Sequence, residues 1–310
     1  MKTLVTALLA AVLLSTSSVW AWDGDGHMQV AEIAWQHLST ASRARVSHLL
    51  KLNPNYHDWI ANVPAAKRKQ VAFVMAATWP DYIKTKAAGY TNDGDTPPPG
   101  HASSQNIGYV DHLMHRYWHF IDTPFSTDGV ALIAPAAPNA KTQIELFAAA
   151  IARADVSDDI KSYDLVWLEH LVGDVHQPLH ATSRFSADLT LGDRGGNSVV
   201  LCANPCKSKS ELHAFWDNVL GTSKKPTTAI TAADKLAAPP AAKASIADDQ
   251  VWLTESFDAA KQFVYASPVG PGAGPYTLDA AYKSQAKTEA KARIELAGVR
   301  LANLINANLK

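Results

Sequence analysis

The sequence predicts an all-α fold: one mostly helical domain with long loops and a small β-hairpin. Three observations predict it. Apolar residues recur at three- and four-residue intervals over several stretches, strand-type pattern is confined to short pieces such as NSVVL (197–201), and Pro/Gly-rich segments separate the helical stretches with no internal repeat. With 310 residues, 47% hydrophobic and 18% charged, the chain carries enough apolar side chains for a full core, which excludes a disordered class.

The N-terminal stretch MKTLVTALLAAVLLSTSSVWA has one early lysine, an apolar run from Leu4 to Leu14 and a Val19-Trp20-Ala21 ending. That is the pattern of a secretory signal peptide over 1–21, cleaved after Ala21, and it is too short for a permanent membrane span. The expected product is a secreted or periplasmic chain over 22–310. Its first helix is VAEIAWQHL (30–38), with Val30, Ile33, Ala34 and Leu38 on one stripe, and SRARVSHLLKL (42–52) follows a Ser39-Thr40 cap signal. KRKQVAFVMAA (67–77) halts before Trp79-Pro80, where proline restricts the residue ahead of it. Helical pattern resumes over 141–154, 157–177, 209–220, 248–266 and from Tyr276 to Leu309. The segments 92–106, 124–139, 222–246 and 267–275 read as loops. Cys202 and Cys206, in a chain bound for an oxidising compartment, read as a small disulfide loop.

The formal net charge of −1 leaves no broad basic field. A phosphate polymer could be held only locally, by metal ions or a few side chains. WLEHLVGDVHQPLH (167–180) supplies the means. On a helix His170 and Asp174 lie four residues apart on one face, able to hold one ion. Pro178 ends the helix, so His180 can turn to the same cavity. A second such pair, His213 and Asp217, falls in ELHAFWDN; Asp81 follows Trp79-Pro80, His119 lies in RYWHFID, and His27 sits five residues after Trp22. Any one buried histidine is more often a core group bonded to a helix carbonyl. Recurrence of the pairs favours metal, and imidazole with carboxylate is a zinc donor set. His37, His48, His57, His101, His112, His115 and His176 read as surface or packing groups, with His112 and His115 close enough in sequence to support His119.

These motifs, in this order, resemble the S1/P1 nucleases, trinuclear zinc enzymes that share their fold with bacterial zinc phospholipases C. The resemblance rests on Trp22 with GxH at His27, WPD at 79–81, WHFID at 118–122, HxxGDxHQPLH at 170–180, GGN at 195–197 and HxxWDN at 213–218. It implies three Zn²⁺ per chain. One would be held by Asp81, His119, His170 and Asp174, with Asp174 bridging to a neighbour bound by His27 and by the α-amino nitrogen and carbonyl oxygen of Trp22. The third would sit on His180, His213 and Asp217. Signal cleavage then becomes a chemical requirement, because an amine locked in a peptide bond cannot ligate metal.

The implied reaction is hydrolysis of the P–O3′ bond of single-stranded DNA and RNA to 5′-phosphoryl products, and of 3′-nucleotides; separately, the expected chain is a monomer without stable membrane association. Asp81 and Asp174 would serve catalysis through the metals. Phe120 and Asp122 match the family's nucleobase pocket, an aromatic face to stack a base and a carboxylate to accept from its edge, with core packing as the other reading of Phe120. Lys84, one helical turn after Asp81, takes the place where fungal members put an arginine near the phosphate, giving charge without a bidentate fork. Asn197 and Asn218 would donate to the phosphate or the metal shell, or else serve turns and caps. A zinc phospholipase C is the rival reading, but its last ligand is typically glutamate where this chain has Asp217. A non-catalytic zinc protein accounts for the ligands and not for the aromatic-carboxylate pair beside them.

Overall fold

A computed structural model describes Trp22 and residues 24–309; the segment 1–21, expected as a signal peptide, lies outside the described residues. Helix α1 (Gly24–His37) is followed by α2 (Thr40–Leu49), α3 (Tyr56–Ile60), α4 (Arg68–Ala76) and α5 (Trp79–Tyr82). After a stretch of short turns come α6 (Ala140–Ala152) and α7 (Asp158–Asp174), then α8 (Leu212–Asp217), α9 (Pro226–Ala233), α10 (Ala241–Ala244), α11 (Asp249–Ala259) and α12 (Ala280–Asn308). Polar side chains start several of them. Ser39, Ser157, Asp248 and Asp279 each accept a backbone N–H of the first turn, and Asn139 and Thr142 form a reciprocal capping box.

The organising element is α7. Every residue from Lys161 to Asp174 is buried, so this helix is enclosed on all sides where an ordinary surface helix buries one stripe. It packs against α6, α1, α2 and α12, while α1 is held by α12, α9 and α4. Trp22, Trp79, Trp118, Trp167, Trp216 and Trp252 are fully buried among these helices. Each buried aromatic of this size is worth roughly 3–5 kcal/mol against truncation to alanine.

Strands are few. β1 (Pro124–Ser126) pairs in parallel with β2 (Ser183–Phe185), and β3 (Val200–Cys202) pairs antiparallel with β4 (Lys209–Glu211). The second pair is the expected hairpin, closed by the Cys202–Cys206 disulfide. No helix among the described residues is long and apolar enough to cross a membrane.

Several elements differ from the sequence expectation, among them β1, which falls in the expected loop 124–139, and α12, which begins at Ala280 rather than Tyr276. The helix expected over 209–220 forms only over Leu212–Asp217, because Lys209–Glu211 is drawn into the ladder with Val200–Cys202. The expected loop 222–246 contains α9 and α10; proline at the first turn of α9 is tolerated since its missing N–H would be unbonded there anyway. Helix α7 stops at Asp174 rather than 177, as Gln177 must be extended ahead of Pro178.

Candidate metal centre and adjoining cavity

The end of α7 supplies His170 and Asp174, and a single 3₁₀ turn, Pro178–Ala181, brings His180 back toward them. Glycine at 173 is required by close approach: a Cβ there would stand 2.8 Å from His27 Nδ1. That gap lets the His27 ring stack on His170 at 3.8 Å between centroids. The Trp22 indole N–H donates to the Gly173 carbonyl at 3.1 Å, fixing the buried residue 22 beside the same turn.

Three buried groups result, each able to hold a metal ion: His27, His170 and Asp174; Asp81, His119 and His170; His180, His213 and Asp217. Asp174 Oδ1 lies 3.3 Å from His27 Nε2, and its Oδ2 lies 3.1 Å from His119 Nδ1 and 3.3 Å from His170 Nε2. Asp81 Oδ1 stands 3.7 Å from His170 Nε2 and 4.0 Å from His119 Nδ1. In the third group Asp217 Oδ2 is 3.4 Å from His213 Nε2.

The tautomers follow from the outer hydrogen bonds. Nδ1–H of His170 donates to Ala77 O at 2.7 Å, that of His180 to His119 O at 2.7 Å, and that of His213 to Gly195 O at 2.6 Å. Burial holds all three rings, with His27 and His119, below the ordinary histidine range, and His213 falls to about 4. They are neutral, so the lone pairs of His180 Nε2 and His213 Nε2 face one another at 3.1 Å. Two facing lone pairs repel unless a cation lies between them. Burial, with the Asp81 charge beside it, also pushes the Asp174 carboxyl well above its usual range. A cation among these groups reverses both costs, and the donor set fits such an ion.

Gln177, missed in the sequence, holds Asp217: its Nε2 donates to Asp217 Oδ1 at 2.7 Å. Gly195 is another position that only glycine satisfies, with φ +61° and a Cβ site 2.4 Å from the Leu179 carbonyl. Its carbonyl is thereby placed to fix His213.

The Lys84 side chain is 4% exposed, with Nζ 2.5 Å from Asp81 Oδ1, at the edge of the clusters. Phe120 packs on the core and also lines two adjoining cavities of about 220 and 180 Å³. The larger is lined by Asp95, Thr96, Asp122, Arg194, Asn197 and His213 among others, and thus opens directly onto the third group. Asn197 Nδ2 donates to the Arg194 carbonyl. Asn218 is exposed and donates to Ala214 O of its own helix, a capping contact rather than one toward the clusters.

Two histidines read from sequence as surface or packing groups are fully buried in polar networks. His115 stacks on Trp118 at 3.5 Å and pairs with Asp111 at 2.8 Å. His176 accepts from Arg300 Nη1 at 2.9 Å, while Arg293 Nε donates to the His176 carbonyl, Ser256 Oγ to that of Val175, and Glu255 ties both arginines. This brace from α11 and α12 fixes the chain just ahead of Gln177. The signal for it in the sequence is Arg293 and Arg300, seven residues apart on one helix, with Glu255 as counter-charge.

The family model described as S1/P1 Nuclease matches residues 22–310. Among curated relatives, the chain is 25% identical to Endonuclease 4 of Arabidopsis thaliana over 215 residues, 64% of this chain and 55% of that protein. It is 26% identical to Endonuclease 1 of the same plant over 220 residues, 69% and 58% of the two chains. The aligned part is a little over half the length of these two relatives. The match to the family model over nearly the whole described chain, on a helical fold that gathers the family's motif residues around one buried turn, places this protein in the S1/P1 nuclease family.

Proposed function

We propose that this chain is an exported zinc-dependent endonuclease and 3′-nucleotidase that cleaves P–O3′ bonds of single-stranded nucleic acid. The carrying observation is the pair of neutral imidazoles, His180 and His213, whose Nε2 atoms converge at 3.1 Å while their Nδ1–H groups are committed to carbonyls. With the other two groups, this favours three zinc ions held by His27, Asp81, His119, His170, Asp174, His180, His213 and Asp217, with the Trp22 amine completing one after leader removal. Bound zinc supplies deprotonated water near neutral pH and neutralises phosphate charge.

The chain's own residues do the rest. Asp81 and Asp174 place carboxyl oxygens at fixed points, the Lys84 ammonium lies beside Asp81, and Gln177 fixes the orientation of Asp217. Phe120 offers a stacking face in the cavity next to His213, and Asp122 offers a carboxyl group. Asn197 reaches the same cavity.

The test is release of acid-soluble nucleotides from single-stranded DNA by protein beginning at Trp22, after EDTA stripping and again after zinc restoration. Restored release supports the reading. Failure of a zinc-loaded protein, with cleavage of phosphatidylcholine instead, replaces it by the phospholipase.

Base recognition has its own signature. Although Asp122 is only half-buried as a residue, enclosure of its carboxyl group pushes it up to about 7; Asp193 and Asp95 add to this and Arg194 opposes it. The raised value means the group keeps its proton through mildly acid pH, donating to a base edge below about 7 and accepting above it. Asp122→Ala is expected to raise KM for 3′-nucleotides about tenfold, abolish the change of base preference across pH 7, and leave bis(p-nitrophenyl) phosphate hydrolysis nearly unchanged. Equal losses on both substrates would remove the base-pocket assignment.

A further inference from the structure

Arg194 stands in a backbone conformation that its side chain does not favour. Its φ is +55°, and it opens a run of three left-handed residues with Gly195 and Gly196. A non-glycine residue is strained there, a strain that glycine or asparagine would reduce. The side chain kept despite that strain is 59% exposed and lines the cavity shared by Phe120, Asp122, Asn197 and His213. Its partner is Asp95 on the opposite wall, Nη2 to Oδ2 at 2.8 Å.

Asp95 has a second partner. Its Oδ1 accepts from Arg116 Nε at 2.7 Å, and Arg116 is 13% exposed. Asp95 therefore remains neutralised if Arg194 leaves, and the exposed arginine is the one able to exchange. The cavity otherwise presents the carboxylates of Asp95 and Asp122 to a polyanion, and the Lys84 side chain is enclosed beside Asp81, away from this mouth. A cation at the mouth is what an incoming strand needs.

Resting on the nuclease reading above, we propose that Arg194 binds a non-scissile phosphate of the substrate strand, exchanging its Asp95 partner for the phosphodiester while Arg116 retains Asp95. Arginine suits the role because its planar fork matches a phosphate in two parallel hydrogen bonds. The ligand class is an internucleotide phosphate next to the one cleaved, a group that a 3′-mononucleotide or bis(p-nitrophenyl) phosphate lacks.

The experiment compares wild type, Arg194→Gln and Arg194→Gly, all zinc-loaded and beginning at Trp22, on a ten-residue oligothymidylate and on bis(p-nitrophenyl) phosphate over a range of NaCl concentrations. Both variants are expected to raise KM for the oligonucleotide about tenfold and to leave the KM of the single-phosphate ester within about twofold. The slope of log kcat/KM against log salt should fall by about 0.7, one single-strand phosphate contact. Arg194→Gly, which relieves the backbone, should unfold no earlier than wild type. A double-mutant cycle adds Asp95→Asn, which should improve oligonucleotide cleavage when Arg194 is present and not when it is combined with Arg194→Gln.

Equal losses on both substrates, an unchanged salt slope, or an Asp95→Asn effect of the same size in both backgrounds overturns the inference. A lower unfolding temperature of the glycine variant with losses on both substrates would assign Arg194 a structural role instead. Wild type inactive on every phosphodiester defeats the nuclease reading itself, a result distinct from an active wild type whose Arg194 variants show no substrate-length dependence.

Discussion

Replacing His170 with alanine is expected to empty two metal positions and lower the rate on single-stranded DNA by about a thousandfold or more. The reason is its double membership. His170 belongs both to the group with His27 and Asp174 and to the group with Asp81 and His119. Its Nε2 faces Asp174 Oδ2 at 3.3 Å and His119 Nδ1 at 2.9 Å, while its other nitrogen is held by Ala77. Alanine in place of His213 would leave those two groups intact. Native mass spectrometry of the two variants is the check: one remaining ion in His170→Ala against two in His213→Ala, with the larger loss of rate in the former. Equal metal loss from both would mean that the groups do not fill independently.

Extending the chain ahead of Trp22, even by Gly-Ser, is expected to cost about a hundredfold or more in rate and one metal ion, with the fold unchanged. Trp22 is fully buried with its indole tied to the carbonyl of Gly173, the residue ahead of Asp174. In a peptide bond the Trp22 backbone nitrogen has no available lone pair. Circular dichroism, metal content and rate on the extended and cleaved forms decide the matter. Full activity with three ions in the extended protein would take the Trp22 amine out of the ligand set.

The sequence exposes the parts of the centre that are local in the chain. His170 with Asp174 and His213 with Asp217 are i,i+4 pairs, visible as soon as the helices are drawn, and the proline in HQPLH explains how His180 returns. What stays hidden is nonlocal. Asp95 and Arg194 meet across a cavity from loops 99 positions apart, and nothing in either loop announces the other. His176 looks bland in the sequence because its partners sit on the last described helix, 124 positions away for Arg300. The α9 segment reads as a loop for a different reason: its Thr- and Ala-rich sequence, flanked by proline, carries little apolar signal of its own. It is helical because Ala229 and Ala233 dock against neighbouring helices.

The brace behind His176 sets a schedule for assembly. Every proposed ligand lies at or before Asp217, whereas Glu255, Arg293 and Arg300 come afterward in the chain. A chain emerging from its N-terminus presents imidazoles and carboxylates well before the residues that lock the Val175–Gln177 corner have been made. The corner that carries Gln177, and through it the Asp217 carboxyl, is therefore fixed only once α12 has docked.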